Sequence, residues 1–143
     1  MSIDYKNILN QNMLNVFKDI LNNIKNEGLS DGNHLYITFE TKNKNVKIPK
    51  WLLEKYPEEM TIIIQYEYYN INVKSNSFEI TLSFNNVKTD LKIAFDAIIS
   101  FADPSANFGL SLKKSKKEKL QSAKHKHKTK SDNVIEFSNF KKN

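Results

Sequence analysis

The chain has 143 residues, of which 39% are hydrophobic and 11% aromatic, enough for one domain with a single small core. It has no cysteine, which excludes disulfides and thiolate chemistry, and no apolar run approaches the roughly 18 residues that would suggest a membrane span. The first ten residues lack the basic start and apolar centre of a signal peptide, so the sequence predicts a cytoplasmic protein.

The net charge of +6 is concentrated in one segment of the chain. Residues 113–130 hold nine lysines and one glutamate, a charge of +8, which leaves −2 for all other residues. All 22 basic residues are lysine and none is arginine. The part of the chain with a folding pattern is therefore not the basic part, and nucleic acid is not the partner that the charge predicts.

Residues 4–26 carry apolar side chains at intervals of three and four, which predicts an amphipathic helix. Asp4 can cap its start, and Gly28 can end it. The apolar stripe can cover a sheet, and we expect it to pack on the protein's own core. Its outer members, with Tyr5 and Ile8, could alternatively pair with a second copy of the helix. The stripe consists of Leu9, Met13, Val16, Phe17, Ile20, Leu21 and Ile24.

Strand signals follow at short intervals. Residues 35–41 alternate apolar and polar side chains, as a half-buried strand does. Pro49 suits the first turn of a short helix that must stop before Pro57, and we expect this helix to plug one end of a barrel. Residues 60–69 form the longest β signal, with a β-branched run that favours a pleated surface. Further strands are predicted at residues 72–73, 78–84, 87–95 and 98–101.

The pattern predicts a mainly β fold class. Asn85 and Asn86 suit a tight hairpin turn, since asparagine tolerates positive φ. About five short antiparallel strands after one leading helix indicate a small, strongly bent sheet or barrel. The connections are too short for βαβ crossovers, which excludes a nucleotide-binding α/β fold.

Residues that could carry catalysis or bind a metal are few. His34 stands alone at a strand entrance, where a solvated or packing role is the rule. Glu58 and Glu59 are neighbours in a loop and have a surface role by position. His125 and His127 lie in a lysine run whose positive field opposes a metal ion. The sequence therefore predicts no enzyme, no metal and no cofactor.

The pattern changes beyond residue 112. Residues 113–132 are rich in lysine and poor in apolar side chains, which predicts a disordered linker. Residues 133–143 regain apolar side chains in NVIEFSNFKK, the composition of a short docking motif on a tether. The predicted organisation is a folded domain over residues 1–112, a linker over 113–132 and a motif over 133–143.

Four stretches, HLYITFET, KYPEEMTIIIQYEYYNINV, FEITLSFN and FADPSANFGL, resemble the stringent starvation protein B family, and its alpha-proteobacterial branch most. The resemblance covers about residues 5–112. It implies a partly open, Sm-like β barrel with a leading helix that forms a homodimer. It also implies a non-catalytic adaptor that binds the ssrA degradation tag and docks on the ClpX unfoldase of the ClpXP protease.

The resemblance also implies site residues. Gln65 falls on the glutamine of the family's YPxEMTIxxQ motif, on the wall of the tag-binding groove, where its amide can pair with an extended peptide's backbone. Ile63 and Glu67 are expected on the same strand face by period two. The resemblance also implies that Glu67 replaces a neutral amide of close relatives within the family. Further candidates are Phe101, Asp103 and Phe108.

The C-terminal motif resembles the family's ClpX-docking end in its paired aliphatic residues, spaced aromatic pair and terminal basic residues. The residues expected to dock are Val134, Ile135, Phe137, Phe140 and Lys141.

Two other interpretations remain open. In one, the chain is an Sm-like single-stranded RNA-binding module whose lysine tail supplies electrostatic affinity. In the other, it is a non-catalytic scaffold for a different partner.

Overall fold

The computed structural model describes residues 2–30 and 32–113. Its first element is helix α1, Tyr5–Glu27. The Asp4 carboxylate caps the helix by accepting the Asn7 N–H at 3.1 Å, and the Gly28 N–H closes the last turn on the Ile24 carbonyl at 2.8 Å. Gly28 has a φ of 79°, which favours glycine at this position. The predicted helix and both of its ends are confirmed.

Seven strands in the described residues form two antiparallel sheets, so the mainly β class with a leading helix is confirmed, with more strands than the predicted five or so. One sheet has the order β2-β1-β6-β7 and the other β3-β4-β5, and neither closes on itself. The strands are β1 Leu35–Glu40, β2 Glu59–Ile64, β3 Tyr68–Val73, β4 Ser77–Phe84, β5 Val87–Ala94, β6 Ile98–Asp103 and β7 Phe108–Ser111.

The strand predicted over residues 60–69 is two strands. The chain bends at residues 65–67, between β2 in one sheet and β3 in the other, because one flat strand cannot belong to two sheets. The break expected near Asn70 is instead a bulge inside β3, where Asn70 has a φ of 58° and the register shifts. Residues 72–73 therefore belong to β3. Strand β7 was not predicted.

The core joins α1 to both sheets. Phe17 is fully buried, and its ring contacts Phe101 at 4.7 Å, Phe78 at 5.6 Å and Phe95 at 6.1 Å between centroids. The packing of the helix on its own core is thus confirmed. Another side of α1 lies on the surface, where its exposed large apolar side chains are Tyr5, Ile8, Leu9 and Val16.

The short helix α2, Lys50–Lys55, lies at the end of the sheet where Glu40 pairs with Glu59. It buries Leu52 and ends before Pro57, as predicted. Its Trp51 ring packs edge-on against Phe84, next to the β4–β5 turn. Both residues of that turn, Asn85 and Asn86, have positive φ, at 52° and 68°, as the hairpin prediction requires.

The described part of the chain ends beside this same end of the sheet. After β7, the backbone N–H groups of Leu112 and Lys113 both donate to the Ile99 carbonyl, at 2.7 and 3.2 Å. The Lys113 ammonium binds the Glu40 carboxylate at 3.2 Å and the Asp96 carbonyl at 2.8 Å. No helix in residues 2–30 and 32–113 is long and apolar enough to cross a membrane.

Candidate functional site

Gln65 lies directly after the last residue of β2, in the bend that leads to β3, and its side chain is half-buried. Within the described part of the chain its amide has no hydrogen-bond partner. A primary amide carries two N–H donors and one carbonyl acceptor, so it can bind a peptide group through both of its functions. The position combines a fixed backbone with an amide that is available for a ligand.

Ile63 is the apolar neighbour of this amide. The burial of β2 alternates, with Met60, Ile62 and Ile64 inside, so Ile63 points outward and is 47% exposed. An exposed isoleucine beside a free amide can contact an apolar side chain of an extended ligand.

Glu67 does not share the strand face of Ile63. The expectation from period two is wrong at this residue, because β2 ends at Ile64 and residues 65–67 form a bend. Glu67 is exposed in this bend. Its charge therefore lies near Gln65 along the chain, but strand geometry does not determine which way the Glu67 side chain points.

Asp103 and Phe108 lie at the same end of the four-stranded sheet as Gln65. They pair with each other across β6 and β7, while Leu35 pairs with Ile64 across β1 and β2. From β2 to β7 there are three strand spacings, or about 14 Å, which is the length of about four residues of extended peptide. Phe108 shares a row with Asp103, Leu35 and Ile64 on the core face of this sheet, so it lies on the opposite face from Ile63.

Phe108 and Phe101 have different positions at this end. Phe108 is 40% exposed, whereas Phe101 is fully buried and contacts both Phe108, at 6.1 Å, and Phe17. Phe101 thus supports Phe108 from the core side and offers no surface of its own.

Asp103 is held by its neighbours. Its carboxylate accepts hydrogen bonds from the Asn33 side chain at 2.9 Å, from the backbone N–H groups of Ser105 and Ala106 at 3.0 and 3.3 Å, and from the Ser105 hydroxyl. Partial burial alone would raise the pKa of Asp103, but these hydrogen bonds outweigh it and lower the pKa. Asp103 therefore stays ionised and fixes the turn after β6 to the loop before β1.

Several residues near the site were not predicted. Tyr66, next to Gln65, is 78% exposed, and an aromatic residue in the YEYY run was the available signal. Tyr68 accepts the Leu29 N–H at 3.0 Å, which ties the start of β3 to the end of α1. His34 packs against Tyr36 at 5.3 Å between rings, the packing role predicted for it.

The described ranges contain no group of three histidine, cysteine, aspartate or glutamate side chains that could hold a metal ion. Glu58 forms an ion pair with Lys42 at 2.8 Å, the surface role expected for it. The docking residues predicted in the C-terminal motif, Val134, Ile135, Phe137, Phe140 and Lys141, lie outside the described residues.

Comparison with known families decides the assignment. The sequence profile of the family described as stringent starvation protein B matches residues 7–142. The chain belongs to the stringent starvation protein B family. The match includes the folded part with Gln65 and also the C-terminal segment. Stringent starvation protein B proteins are adaptors rather than enzymes, with a partner role in proteolysis. No curated protein matches the chain.

Proposed function

We propose that this protein is a non-catalytic adaptor of the alpha-proteobacterial type, which binds ssrA-type degradation tags and delivers tagged proteins to the ClpX unfoldase of ClpXP in the cytoplasm. The observation that carries the proposal is the family match over residues 7–142, which includes the motif with Gln65. The adaptor makes and breaks no covalent bond. Its task is to hold two partners at once.

The tag site in this proposal is the sheet end around Gln65. The Gln65 amide binds the tag's backbone, and Ile63 supplies apolar contact beside it. Phe108, on the core face of the same sheet end, is a separate candidate contact, while Asp103 and Phe101 hold this end in place from within the protein. The support for the roles of Gln65 and Ile63 is the exposure of Ile63 beside an amide that is unpaired in the described chain, and the support for Phe108 is its own exposure.

Glu67 adds a negative charge to this neighbourhood. It is exposed in the same bend as Gln65, two residues further along the chain. A carboxylate repels acidic groups at short range and attracts basic ones. In the proposed site, Glu67 therefore lowers the affinity for a tag with an acid at the nearest position.

The delivery step uses the C-terminal residues. In the proposal, residues 133–143 dock on ClpX through Val134, Ile135, Phe137, Phe140 and Lys141, and residues 113–132 link this motif to the barrel. A linked second binding event takes place at an effective concentration around mM for short flexible linkers. The tag of a dilute substrate is therefore captured at ClpX far more efficiently than without the adaptor.

The proposed assembly is a homodimer. The exposed apolar side chains of α1, at positions 5, 8, 9 and 16, follow one helical stripe, and contiguous exposed apolar surface of this kind favours protein contact. Two copies that meet along this stripe would carry two tag sites and two docking motifs.

The experiment is fluorescence anisotropy of a labelled ssrA-type peptide titrated with the full-length protein. Gln65→Ala should weaken binding about tenfold, since it removes one or two hydrogen bonds of about 1 kcal/mol each, without changing the fold. Gln11→Ala, at an exposed position on α1, is the matched control and should bind as the wild type does. Equal affinity of all three proteins would count against the site.

The second arm tests delivery. Removal of residues 133–143 should abolish the stimulated degradation of a tagged reporter by ClpXP and leave peptide binding unchanged. Unimpaired delivery by the truncated protein would contradict the docking role. Tight RNA binding with a steep salt dependence, in place of peptide binding, would instead support the RNA-binding alternative.

A further inference from the structure

Strand β2 is the outer strand of the four-stranded sheet. It pairs with β1 on one side, and no strand in the described chain pairs with it on the other. An outer strand presents main-chain N–H and C=O groups that can bind another extended chain. The register between β1 and β2 determines which residues of β2 present those groups.

The register fixes the direction of each peptide group. In an antiparallel pair, the residues that exchange hydrogen bonds alternate with residues whose groups point away. The Thr41 N–H donates to the Glu58 carbonyl at 3.1 Å, which places this pair among the hydrogen-bonded ones. Counting in steps of two along the register, the other hydrogen-bonded pairs are Phe39 with Met60, Ile37 with Ile62 and Leu35 with Ile64.

The main-chain groups of Thr61 and Ile63 consequently point away from β1, toward the free edge. The same count directs the intervening residues of β1 to β6, where Thr38 pairs with Ser100 as the alternation requires. Thr61 and Ile63 are both exposed, and the Thr61 hydroxyl is already paired with that of Thr38 at 2.7 Å. The free edge thus offers two sets of main-chain groups with one apolar side chain, that of Ile63.

Two residues of a strand span about 6.8 Å, the same repeat as in any extended peptide. Gln65 directly follows Ile64, the last residue of β2, and its amide is unpaired in the described chain. An extended ligand that pairs with Thr61 and Ile63 and continues past the end of β2 therefore comes to the bend that carries the Gln65 amide. The matching repeat selects a polypeptide in β conformation over other ligands.

We propose that the tag binds by strand addition to the free edge of β2, with main-chain hydrogen bonds to Thr61 and Ile63 and the Gln65 side chain at the end of the ladder. This inference rests on the proposed function and specifies how its Ile63 and Gln65 part recognises the ligand; Phe108, on the opposite edge strand, is outside the ladder. Main-chain pairing gives affinity with little sequence preference, and Ile63 and Gln65 supply the selectivity.

The other free edges fit an added strand less well. On β5, Lys92 exchanges hydrogen bonds with Lys47 at 2.8 and 3.0 Å, so that part of the edge is occupied. On β3, the bulge at Asn70 interrupts the two-residue repeat. Strand β7 has only four residues. The edge of β2 is unbroken over its six residues.

The test is amide hydrogen exchange by NMR on the full-length protein, with and without a saturating ssrA-type peptide. The amides of Thr61 and Ile63 should slow by about tenfold or more, because they gain an acceptor. The amides of Ile62 and Ile64 are matched internal controls, since they already bond to β1, and they should slow by much less.

A pair of variants gives a second readout. Ile63→Pro removes the outward N–H at a position where an edge strand tolerates proline, whereas Ile63→Ala keeps the N–H and loses the side chain. We expect Ile63→Pro to bind the peptide about fivefold more weakly than Ile63→Ala, both variants being checked for a native circular dichroism spectrum. Equal affinity of the two variants would overturn strand addition.

The outcomes separate this inference from the proposed function. If the peptide binds in a Gln65-dependent way but exchange at Thr61 and Ile63 is unchanged, strand addition is overturned and the tag site stands. Protection of Gly109 and Ser111 instead would move the added strand to β7 and overturn it as well. Protection of Thr61 and Ile63 without peptide, lost on dilution, would assign the edge to a second copy. Absence of peptide binding would overturn both proposals.

Discussion

Phe17 offers the sharpest test of how the fold is held together. Its ring is fully buried and contacts Phe78 in β4, Phe101 in β6 and Phe95 in the turn between β5 and β6. Replacement of Phe17 by alanine removes a buried side chain of α1 that contacts both sheets. Since Phe101 also supports Phe108, the change loosens the sheet end that carries the candidate site.

The expected cost follows from the burial. Truncation of a fully buried phenylalanine to alanine costs about 3–5 kcal/mol of unfolding free energy, which includes the transfer of the ring to water and the cavity left behind. Small domains have about 5–15 kcal/mol in total. With a urea dependence of about 1–3 kcal/mol per M, the unfolding midpoint should fall by at least about 1 M.

The assay is urea unfolding followed by circular dichroism. The matched control is Gln11→Ala, at an exposed position of α1 outside the apolar stripe, which should change the unfolding free energy by about 0.5 kcal/mol or less. Equal midpoints for Phe17→Ala and Gln11→Ala would refute the view that this ring joins α1 to the two sheets.

Three further predictions concern local features near the site and the hairpin. Tyr68→Phe should lower the unfolding free energy by about 1 kcal/mol in urea titrations, because the Leu29 N–H loses its acceptor; an unchanged midpoint would contradict this role. For Asp103, a folded-state pKa below the unfolded one means that its stabilising effect is present at neutral pH and is lost as the pH falls below about 4. The stability difference between wild type and Asp103→Asn should therefore shrink between pH 5 and pH 3 in unfolding titrations, and a constant difference would refute the assignment. Asn86→Val should destabilise by about 1–2 kcal/mol, since valine opposes positive φ, whereas Asn86→Gly should be neutral or stabilising by thermal unfolding; equal effects of the two variants would argue against the turn geometry.

The features that the sequence predicts correctly are set by local interactions. The start and end of α1 depend on Asp4 and Gly28, and the β4–β5 turn depends on Asn85 and Asn86, all of which act within a few residues. The strand at residues 35–41 follows from alternation alone. No distant contact is needed to find these elements.

The features that the sequence misses depend on contacts far along the chain. Residues 60–69 have one continuous β signal, but the partners of β2 and β3 lie in different sheets, so the chain must bend between them. The face of Glu67 was mispredicted for that reason. Strand β7 exists because β6 provides its partner, and its short sequence carries little signal.

The candidate site also combines features that the sequence predicts with features that depend on distant contacts. Gln65 could be named through the family resemblance, whereas its position after the end of β2 and its unpaired amide require the structure. The anchoring of Asp103 depends on Asn33, 70 residues earlier. A pairing over that distance has no signature in the spacing of residues.

The position of Lys113, the last described residue, has a consequence for the reach of the C-terminal motif. Lys113 is held beside Glu40, whereas Gln65 lies at the opposite end of the sheet, beside Leu35. Five strand residues separate these two levels, about 17 Å. About five extended residues after Lys113 are therefore needed merely to return to the level of a bound tag. In the proposed adaptor, a linker of only that length would place the docking motif level with the bound tag and not beyond it.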